Sequence, residues 1–256
     1  MHSHFEAESF KIDALRVKKF GSREDLDVCA AADAAEAITA AIEDKGKARI
    51  ILASAPSQSG FLNELLSKSI AWERVQIFHM DEYVGIDATH PASFRRYQQD
   101  HVLSKIKPAA FHGIRGESED SHEECERYAQ LLTEAPIDVA CAGIGENGHL
   151  AFNDPPADLE DPKLVKVVAL DDACRQQQVN DGCFPTFDSV PRTALTLTVP
   201  ALLSGQKIFV VVPGPRKANA VQRTLRGAID GNCPASALRK HRDATLYIDL
   251  HSASLL

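Results

Sequence analysis

Residues 137–156 read IDVACAGIGENGHLAFNDPP and join an apolar strand to a glycine-rich polar loop. Residues 137–142 have the near-continuous apolar character of a strand that is buried on both faces. The loop matches the GxGxxG pattern of dinucleotide-binding folds, but that pattern also requires a long helix after its third glycine. Pro155 and Pro156 prevent such a helix, because proline removes a hydrogen bond and clashes with the preceding turn. The stretch therefore predicts an α/β fold whose glycines let the backbone approach a ligand other than NAD or FAD.

Strands and helices alternate along the rest of the chain. Further strands are predicted at residues 15–20, 48–53, 75–80, 165–170, 193–199, 207–212 and 245–250. Helices are predicted at residues 22–43, 61–70, 93–102, 121–133 and 216–227. Ser22 is the predicted N-cap of the first helix and Gly227 the C-cap of the last. This order favours a mostly parallel sheet covered by helices on both faces, in one Rossmann-like α/β domain over residues 1–256.

Length, composition and charge exclude several classes of protein. The chain has 256 residues, 44% of them hydrophobic, and a formal net charge of −8. No apolar stretch approaches the ~20 residues that a membrane helix needs, and residues 1–10 lack the apolar core of a signal peptide. We therefore expect a cytoplasmic protein that binds neither membrane nor nucleic acid, since a nucleic-acid binder needs clustered positive charge. The six cysteines form no CxxC pair and are expected to be small core residues.

Four loops follow predicted strands, at residues 54–60, 81–85, 143–156 and 213–217. Ligands of parallel sheets bind outside the carboxyl ends of the strands, so these loops are expected to carry the chemistry. No metal is expected there, because the ligand-type pairs His79/Asp81 and Asp249/His251 have no third ligand at a recognisable spacing. No cofactor motif is present in the sequence, and none is expected.

Two of these loops contain candidates for proton transfer. Asp81 and Glu82 directly follow a strand, where a carboxylate acts either as a helix N-cap or as a general base with a raised pKa. His149 lies close in sequence to Asp154, and a histidine beside a carboxylate is suited to move protons near neutral pH. The alternative for this second loop is an ordinary solvated polar segment.

The other two loops are suited to bind an anion. Residues 54–60, SAPSQSG, precede a helix, so their hydroxyls and the positive helix end could hold a phosphate. Lys217 follows Arg216 at the start of another helix, where two cations favour an anion. An ordinary capped turn and a solvated basic turn are the respective alternatives.

Four segments together resemble the glucosamine-6-phosphate deaminases, also called isomerases. Residues 78–85, FHMDEYVG, resemble their FxMDEYxG segment, and residues 143–155, GIGENGHLAFNDP, resemble GIGxxGHIAFNEP. Residues 190–196, VPRTALT, and 214–218, GPRKA, are similar to their VPxxALT and GxxKA segments. The order and spacing agree over roughly residues 45–230. The related 6-phosphogluconolactonases share the fold and a GxGxDGH loop, but not these versions of the first two segments.

The resemblance implies a sugar-phosphate isomerase type of fold and a role for each matched residue. Asp81 would move a proton between C2 and C1 of the open-chain sugar, and His149 would open the pyranose ring. Asp154 would support His149 in place of the family's glutamate. Asn147 occupies a position where many members have aspartate, and Lys217 would contact the phosphate. The residues expected to bind substrate or phosphate are Ser54, Ser57, Gln58, Ser59, Glu82, Gly145, Arg175 and Lys217.

Three departures from the family pattern bear on the substrate. Residues 55–60 replace a loop that typically reads PTGGTP, so the glycine pair is missing. Asp154 is one methylene shorter than glutamate. The family has an arginine before a Phe-Phe pair in its lid, whereas residues 179–184 contain none. Arg175 and the glutamines at 176–178 lie a few residues earlier and are the candidates to replace that arginine.

The resemblance predicts a cofactor-independent deaminase that converts glucosamine 6-phosphate and water into fructose 6-phosphate and ammonia. A 6-phosphogluconolactonase-type hydrolase and a non-catalytic sugar-phosphate-binding regulatory protein are the alternatives. In each case the partner is a small sugar phosphate. Family members range from monomers to rings, so the sequence is compatible with a homo-oligomer.

Overall fold

A computed structural model describes residues 8–256 of the chain. Within that range the strands are β1 (Glu8–Ile12), β2 (Leu15–Phe20), β3 (Ala48–Leu52), β4 (Val75–His79), β5 (Asp81–Tyr83), β6 (Ala110–His112), β7 (Val139–Ala142), β8 (Val165–Ala169), β9 (Thr193–Leu197), β10 (Lys207–Val212) and β11 (Ala244–Asp249). The α-helices are α1 (Arg23–Lys45), α2 (Ser59–Leu66), α3 (Phe94–Gln98), α4 (Ser121–Thr133), α5 (Asp172–Asn180), α6 (Val199–Leu202) and α7 (Ala218–Arg226). In the part described, none of the helices combines the length and the apolar character needed to cross a membrane.

Eight strands form the central sheet, in the order β1-β2-β11-β10-β7-β3-β4-β6. Every neighbouring pair is parallel except β1 with β2. In the middle of the sheet, Ile50 of β3 is paired with Val139 on one side and Ile77 on the other. Such strands carry few polar residues because helices cover both of their faces. The mostly parallel sheet predicted from the sequence is confirmed.

The two faces of the sheet bury separate apolar clusters. Ile50 and Leu52 of β3 pack with α1 and α2, whereas Ile51 packs on the opposite face with α4 and α7. This division follows from the alternation of side chains along a strand. Helix α1 begins as predicted, with the Ser22 hydroxyl accepting a hydrogen bond from the Asp25 amide at 3.1 Å. The predicted covering of both faces by helices is therefore confirmed.

A second sheet, in the order β5-β9-β8, is antiparallel and was not predicted as a separate unit. β4 ends at His79, and Asp81 begins β5 after a single intervening residue, Met80. The Leu197 amide donates to the Met80 carbonyl at 2.8 Å, which fixes the change from one sheet to the other. Residues 165–170 and 193–199 were recognised as strands, but short apolar strands do not reveal their partners. Asp81 consequently lies at the junction between the two sheets.

Other elements differ from expectation at their ends or in kind. β1, β5, β6, α5 and α6 were not predicted, and α2 ends at Leu66, before the predicted end at residue 70. Helix α5 has the sequence DACRQQQVN, which lacks the apolar periodicity of an amphipathic helix. Gly227 caps α7 as expected, but with a φ of −77° instead of the left-handed conformation. The six cysteines are free thiols, and four of them are buried.

Candidate active site

One cavity lies at the carboxyl ends of the central strands and has an empty volume of about 600 Å³ including its open mouth. The loops after β3, β4, β7 and β10 contribute to its wall, together with α5. The predicted site residues that line it are Ser54, Ser57, Gln58, Asp81, Gly145, His149 and Lys217. Asn147 and Asp154 lie directly behind His149. Ser59, Glu82 and Arg175 lie outside the lining, and each has other partners.

Asp81 is the first residue of β5 and lines the cavity with only 7% of its surface exposed. Burial raises the pKa of its carboxyl group well above the usual value, and the nearby charge of Glu82 acts in the same direction. A carboxylate in such surroundings binds a proton more readily than an exposed one. Asp81 therefore has the position and the proton affinity of a general base.

Glu82 does not line the cavity, because successive side chains of a strand point to opposite sides. Its carboxylate accepts hydrogen bonds from the Ser93 hydroxyl at 2.7 Å and from the amides of Phe94 and Arg95 at 3.1 and 3.0 Å. Burial raises the pKa of Glu82, although these hydrogen bonds oppose the shift. Glu82 thus stabilises the N-terminus of α3, and the structure places this fully buried residue away from the cavity where contact with substrate was expected.

His149 is held by its own loop. Its Nδ1 atom lies 3.0 Å from Asp154 Oδ1, and its backbone amide donates to Asn147 Oδ1 at 3.0 Å. Asn147 Nδ2 donates to Asp154 Oδ1, also at 3.0 Å. The other edge of the ring faces Gly145, where a Cβ atom would lie 2.2 Å from His149 Nε2. The glycine therefore creates the space that this ring occupies beside the cavity.

Asp154 remains a strong partner for His149 in spite of its short side chain. Burial acts to raise the pKa of Asp154, but the interactions with His149, the Asn147 amide and the Asp171 backbone amide outweigh it and lower the pKa. The carboxylate is consequently ionised at neutral pH. Although Asp154 is one methylene shorter than glutamate, the loop brings its carboxylate to 3.0 Å from His149, so the two side chains are in direct contact.

Lys217 brings a cation into the cavity from the turn after β10. The turn is possible because Gly214 adopts a φ of +92°, in the region that glycine tolerates. Burial lowers the pKa of Lys217, while the charges of Asp181 and Glu146 act in the opposite direction. The neighbouring Arg216 is about half exposed, with its guanidinium 2.6 Å from Asp181 and 3.2 Å from Glu146.

The polar side chains of the loop at 54–60 make hydrogen bonds to neighbouring elements. Ser54 accepts from the Gln98 amide at 2.9 Å, and Gln58 donates to the Val211 carbonyl at 3.0 Å, so both are anchored at the cavity wall. The Ser59 hydroxyl lies 3.0 Å from the Tyr97 hydroxyl. Ser59 therefore joins α2 to α3 instead of reaching the cavity, contrary to expectation.

Arg175 also departs from the expected role. Its guanidinium stacks 3.9 Å from the ring centre of Phe187 and donates to the carbonyls of Phe187 and Val190 at 2.8 and 3.1 Å. It thus fixes the segment that follows α5 and does not line the cavity, where the missing lid arginine would act. The residues of this region that do line it are Gln177, Gln178 and Asp181. The glutamine run at 176–178 indicated the first two from the sequence, whereas no sequence pattern indicated Asp181.

One member of each ligand-type pair noted in the sequence, His79 and Asp249, has a structural role. His79 is buried and accepts from the Ile114 amide at 2.8 Å, and burial with the charge of Arg95 lowers its pKa to about 3. Asp249 accepts from the Gly214 amide at 2.9 Å. A different set of donors does converge, because atoms of His149, Asp154 and Cys174 all lie within 4.8 Å of one another.

Comparison with known proteins gives a consistent result. Residues 21–247 match the family described as glucosamine-6-phosphate isomerases/6-phosphogluconolactonase. A glucosamine-6-phosphate deaminase of Listeria monocytogenes is 34% identical over 80% of this chain and 86% of its own. Glucosamine-6-phosphate deaminase 1 of Bacillus subtilis is 34% identical over 84% of this chain and 90% of its own.

Solved structures agree with the sequence comparison. A monomeric glucosamine-6-phosphate deaminase superposes with a TM-score of 0.86 at 33% identity, over 94% of this chain and 99% of its own. A 6-phosphogluconolactonase from Shewanella baltica has a TM-score of 0.74 at 21% identity, over 91% of this chain and 96% of its own. The second likeness is one of fold.

Proposed function

The chain belongs to the glucosamine-6-phosphate isomerase/6-phosphogluconolactonase family, and on that premise we propose that it converts glucosamine 6-phosphate and water into fructose 6-phosphate and ammonia. The observation that carries this proposal is the pair of proton-transfer groups in one cavity: the buried Asp81 carboxylate and the His149–Asp154 pair. Protein side chains alone supply the chemistry in this proposal.

Ring opening is assigned to His149. The imidazole accepts the proton of the C1 hydroxyl and, as the imidazolium, delivers a proton to the ring oxygen of the pyranose, which yields the open-chain aldehyde. The ionised Asp154 stabilises the imidazolium that forms during this exchange. Asn147 holds both partners through its two amide atoms, so it acts as a positioning residue and carries no proton itself.

Proton transfer between carbon atoms is assigned to Asp81. The carboxylate removes the proton from C2 while the substrate's own C2 ammonium group gives a proton to the aldehyde oxygen, which leaves a neutral enolamine. Asp81 then returns a proton to C1 and leaves an iminium ion at C2. Water adds to C2 and ammonia departs, which completes the ketose. The raised pKa of Asp81 favours this role because a general base works best when its pKa approaches the operating pH.

The phosphate is assigned to Lys217 together with the hydroxyls of Ser54 and Ser57. All three line the same cavity as Asp81, so a hexose phosphate bound there would hold its C1–C2 end near the carboxylate. Fixing a flexible open sugar in this way converts binding energy into orientation. Gln177 and Gln178 face the cavity from α5 and would contact the substrate in place of the family's lid arginine.

The remaining expectations about cellular context form part of this proposal. We place the reaction in the cytoplasm, with a small sugar phosphate as the partner and without nucleic acid or membrane. The net charge of −8 supports a small-molecule substrate, since a nucleic-acid binder needs excess positive charge. Every residue assigned above lies within one chain, so the proposed reaction is compatible with a monomer and with a homo-oligomer.

Ammonia release from glucosamine 6-phosphate tests the proposal, with hydrolysis of 6-phosphogluconolactone measured in parallel. Asp81→Asn should lose roughly 10²–10⁴-fold in ammonia release, the range for removal of a general base. Asp44→Asn, an exposed aspartate of α1, is the matched control and should retain full activity.

Three results would contradict the proposal in different ways. Equal ammonia release by wild type and Asp81→Asn would remove the carboxylate from the mechanism. Lactone hydrolysis without ammonia release would establish the hydrolase alternative. Binding of the sugar phosphate, detected as thermal stabilisation with neither reaction, would establish the regulatory alternative.

A further inference from the structure

Cys174 is a buried nucleophilic group that the proposed reaction does not use. It lies in the first turn of α5 with 1% of its surface exposed. Its backbone amide donates to Asp171 at 2.5 Å, and the Asp171 amide in turn donates to Asp154 at 3.3 Å. These contacts attach the thiol and the Asp154 carboxylate to the same helix start. The two side chains are therefore held next to each other.

The donor atoms of Cys174, Asp154 and His149 converge. They all lie within 4.8 Å of one another, and His149 Nδ1 is 3.0 Å from Asp154 Oδ1. In tetrahedral zinc sites with N and O ligands at about 2.0–2.1 Å from the metal, neighbouring ligand atoms are about 3.3 Å apart. The His149–Asp154 separation is thus already close to that value. A movement of the Cys174 sulfur toward His149 Nδ1 and Asp154 would bring all three donor atoms within bonding distance of one metal ion.

The chemical types of the donors also fit a metal ion. Imidazole, carboxylate and thiolate are the ligands that zinc uses in proteins, and the thiolate favours soft and borderline ions. One thiolate and one carboxylate carry two negative charges, which neutralise a divalent cation. A neutral assembly matters at this site because an uncompensated charge is costly in a buried environment.

We propose that His149, Asp154 and Cys174 form a binding site for a soft or borderline divalent cation such as Zn²⁺ or Cd²⁺, and that occupation of this site blocks catalysis. On binding, the cation forms a bond to the Cys174 sulfur and the thiol proton passes to solvent, with no change in oxidation state. The ion takes His149 Nδ1 and Asp154 away from their mutual contact, so the pair can no longer exchange protons with the sugar ring.

Titration of the whole protein with Cd²⁺ tests the site without any substrate. The cadmium–thiolate charge-transfer absorption in the ultraviolet should appear in the wild type and in Cys183→Ser, and should lose one thiolate equivalent in Cys174→Ser. Cys183 is the matched control because it is a half-buried thiol nine positions further along the chain and outside the donor set. Cys174→Ala repeats the measurement with a smaller side chain, and circular dichroism confirms that each variant is folded.

Inhibition is measured as a second readout, each variant being normalised to its own metal-free ammonia release. Zn²⁺ should inhibit the wild type and Cys183→Ser alike, and at least tenfold more Zn²⁺ should be needed for Cys174→Ser. Mg²⁺ should not inhibit, because a hard cation prefers oxygen ligands. A charge-transfer signal that is unchanged in both Cys174 variants would overturn the site. Loss of the signal with unchanged inhibition would overturn the blocking effect.

The metal site and the proposed function can fail separately. The cadmium signal requires no turnover, so it tests the site even in a protein that releases no ammonia. Conversely, ammonia release with no Cys174-dependent signal would leave the proposed function in place and reject the metal site.

Discussion

Asp81 and Glu82 are neighbours in the sequence, yet their carboxylates have different surroundings. Glu82 accepts hydrogen bonds from Ser93, Phe94 and Arg95 at the start of α3, whereas Asp81 faces the cavity. From sequence alone, a carboxylate after a strand could be a helix cap or a base. The structure gives Glu82 the contacts of a cap and leaves Asp81 at the cavity, where we propose that it acts as the base, because β5 directs adjacent side chains to opposite sides. The residue that caps the helix is simply not the one at the cavity.

The raised pKa of Asp81 predicts a pH dependence of both activity and stability. Activity requires the ionised carboxylate, so kcat/KM should rise with pH through a value well above the ordinary pKa of 3.8. The folded state favours the protonated form, so this contribution to stability is complete below the unfolded pKa and is lost as pH rises through the folded pKa. Asp81→Asn should therefore be more stable than wild type at neutral pH, with no difference below the unfolded pKa.

Denaturant unfolding at several pH values measures the second effect, and a pH profile of ammonia release measures the first. An acid limb at the ordinary carboxyl pKa, with a stability difference that is independent of pH, would contradict this account of Asp81.

Gly145→Ala should inactivate the protein while leaving it folded. The added Cβ would lie 2.2 Å from the His149 ring, so the ring must move away from its place beside the cavity. A displacement of about 1 Å can lower the rate by about 10²-fold. Gly21→Ala is the matched control because its Cβ would meet nothing within 4 Å. Full ammonia release by Gly145→Ala, measured beside the control, would show that the position of His149 does not matter.

At the scale of elements, α5 joins three parts of the site. Gln177 accepts a hydrogen bond from the Glu146 amide at 3.0 Å, and Arg216 bridges Asp181 and Glu146. These contacts hold the helix against the glycine loop and the turn that carries Lys217. The sequence did not predict α5, because four of its residues in a row are polar or charged and its stability comes from such contacts.

Arg216→Gln should weaken substrate binding more than it slows the reaction. Without the guanidinium, Asp181 and Glu146 present uncompensated charge near Lys217, which opposes a phosphate. We expect KM for glucosamine 6-phosphate to rise about tenfold, equivalent to about 1.4 kcal/mol, with a smaller change in kcat. Arg242→Gln removes the same charge from an exposed position far along the chain. An equal rise of KM in both variants would show that the change in net charge causes the effect, and would contradict a specific role for Arg216.

Helix α1 supports the loop at 54–60 through an exposed arginine, Arg23, and a buried aspartate, Asp27. Arg23 donates to the Ser57 carbonyl at 2.9 Å, and Asp27 approaches Gly60 so closely that a Cβ there would lie 1.9 Å from its carboxylate. Burial raises the pKa of Asp27 from 3.8 to about 6, although the charge of Arg23 opposes the shift. Protonated Asp27 therefore favours the folded state below about pH 4, and this stabilisation is lost as the pH rises through about 6.

Asp27→Asn should consequently raise the free energy of unfolding at pH 8 by up to about 3 kcal/mol, since each pKa unit corresponds to about 1.4 kcal/mol. The gain should disappear below about pH 4, and Asp44→Asn on the same helix should show neither effect. Urea unfolding at both pH values measures the difference in free energy of unfolding between each variant and the wild type. A destabilised Asp27→Asn at pH 8 would mean that the ionised carboxylate is needed for its contact with Arg23.

At the scale of the whole molecule, the sequence predicts the central sheet better than the surroundings of the cavity. Buried strands such as residues 207–212 are recognisable from their apolar character, and their order along the chain places the four loops at one edge. The second sheet depends on pairings between β5, β8 and β9 that no local pattern encodes. The same limit applies to Ser59, whose partner Tyr97 lies on α3, and to Arg175, whose partners lie in the irregular segment after α5.

The central claim concerns distances across the cavity, so a crystal structure with an open-chain amino-alditol 6-phosphate tests it most directly. We expect an Asp81 carboxylate oxygen about 3–3.5 Å from C1 and C2 of the ligand, the range for reacting atoms, with the phosphate on Lys217. A carboxylate turned away from those carbons, or a phosphate bound outside the cavity, would contradict the account.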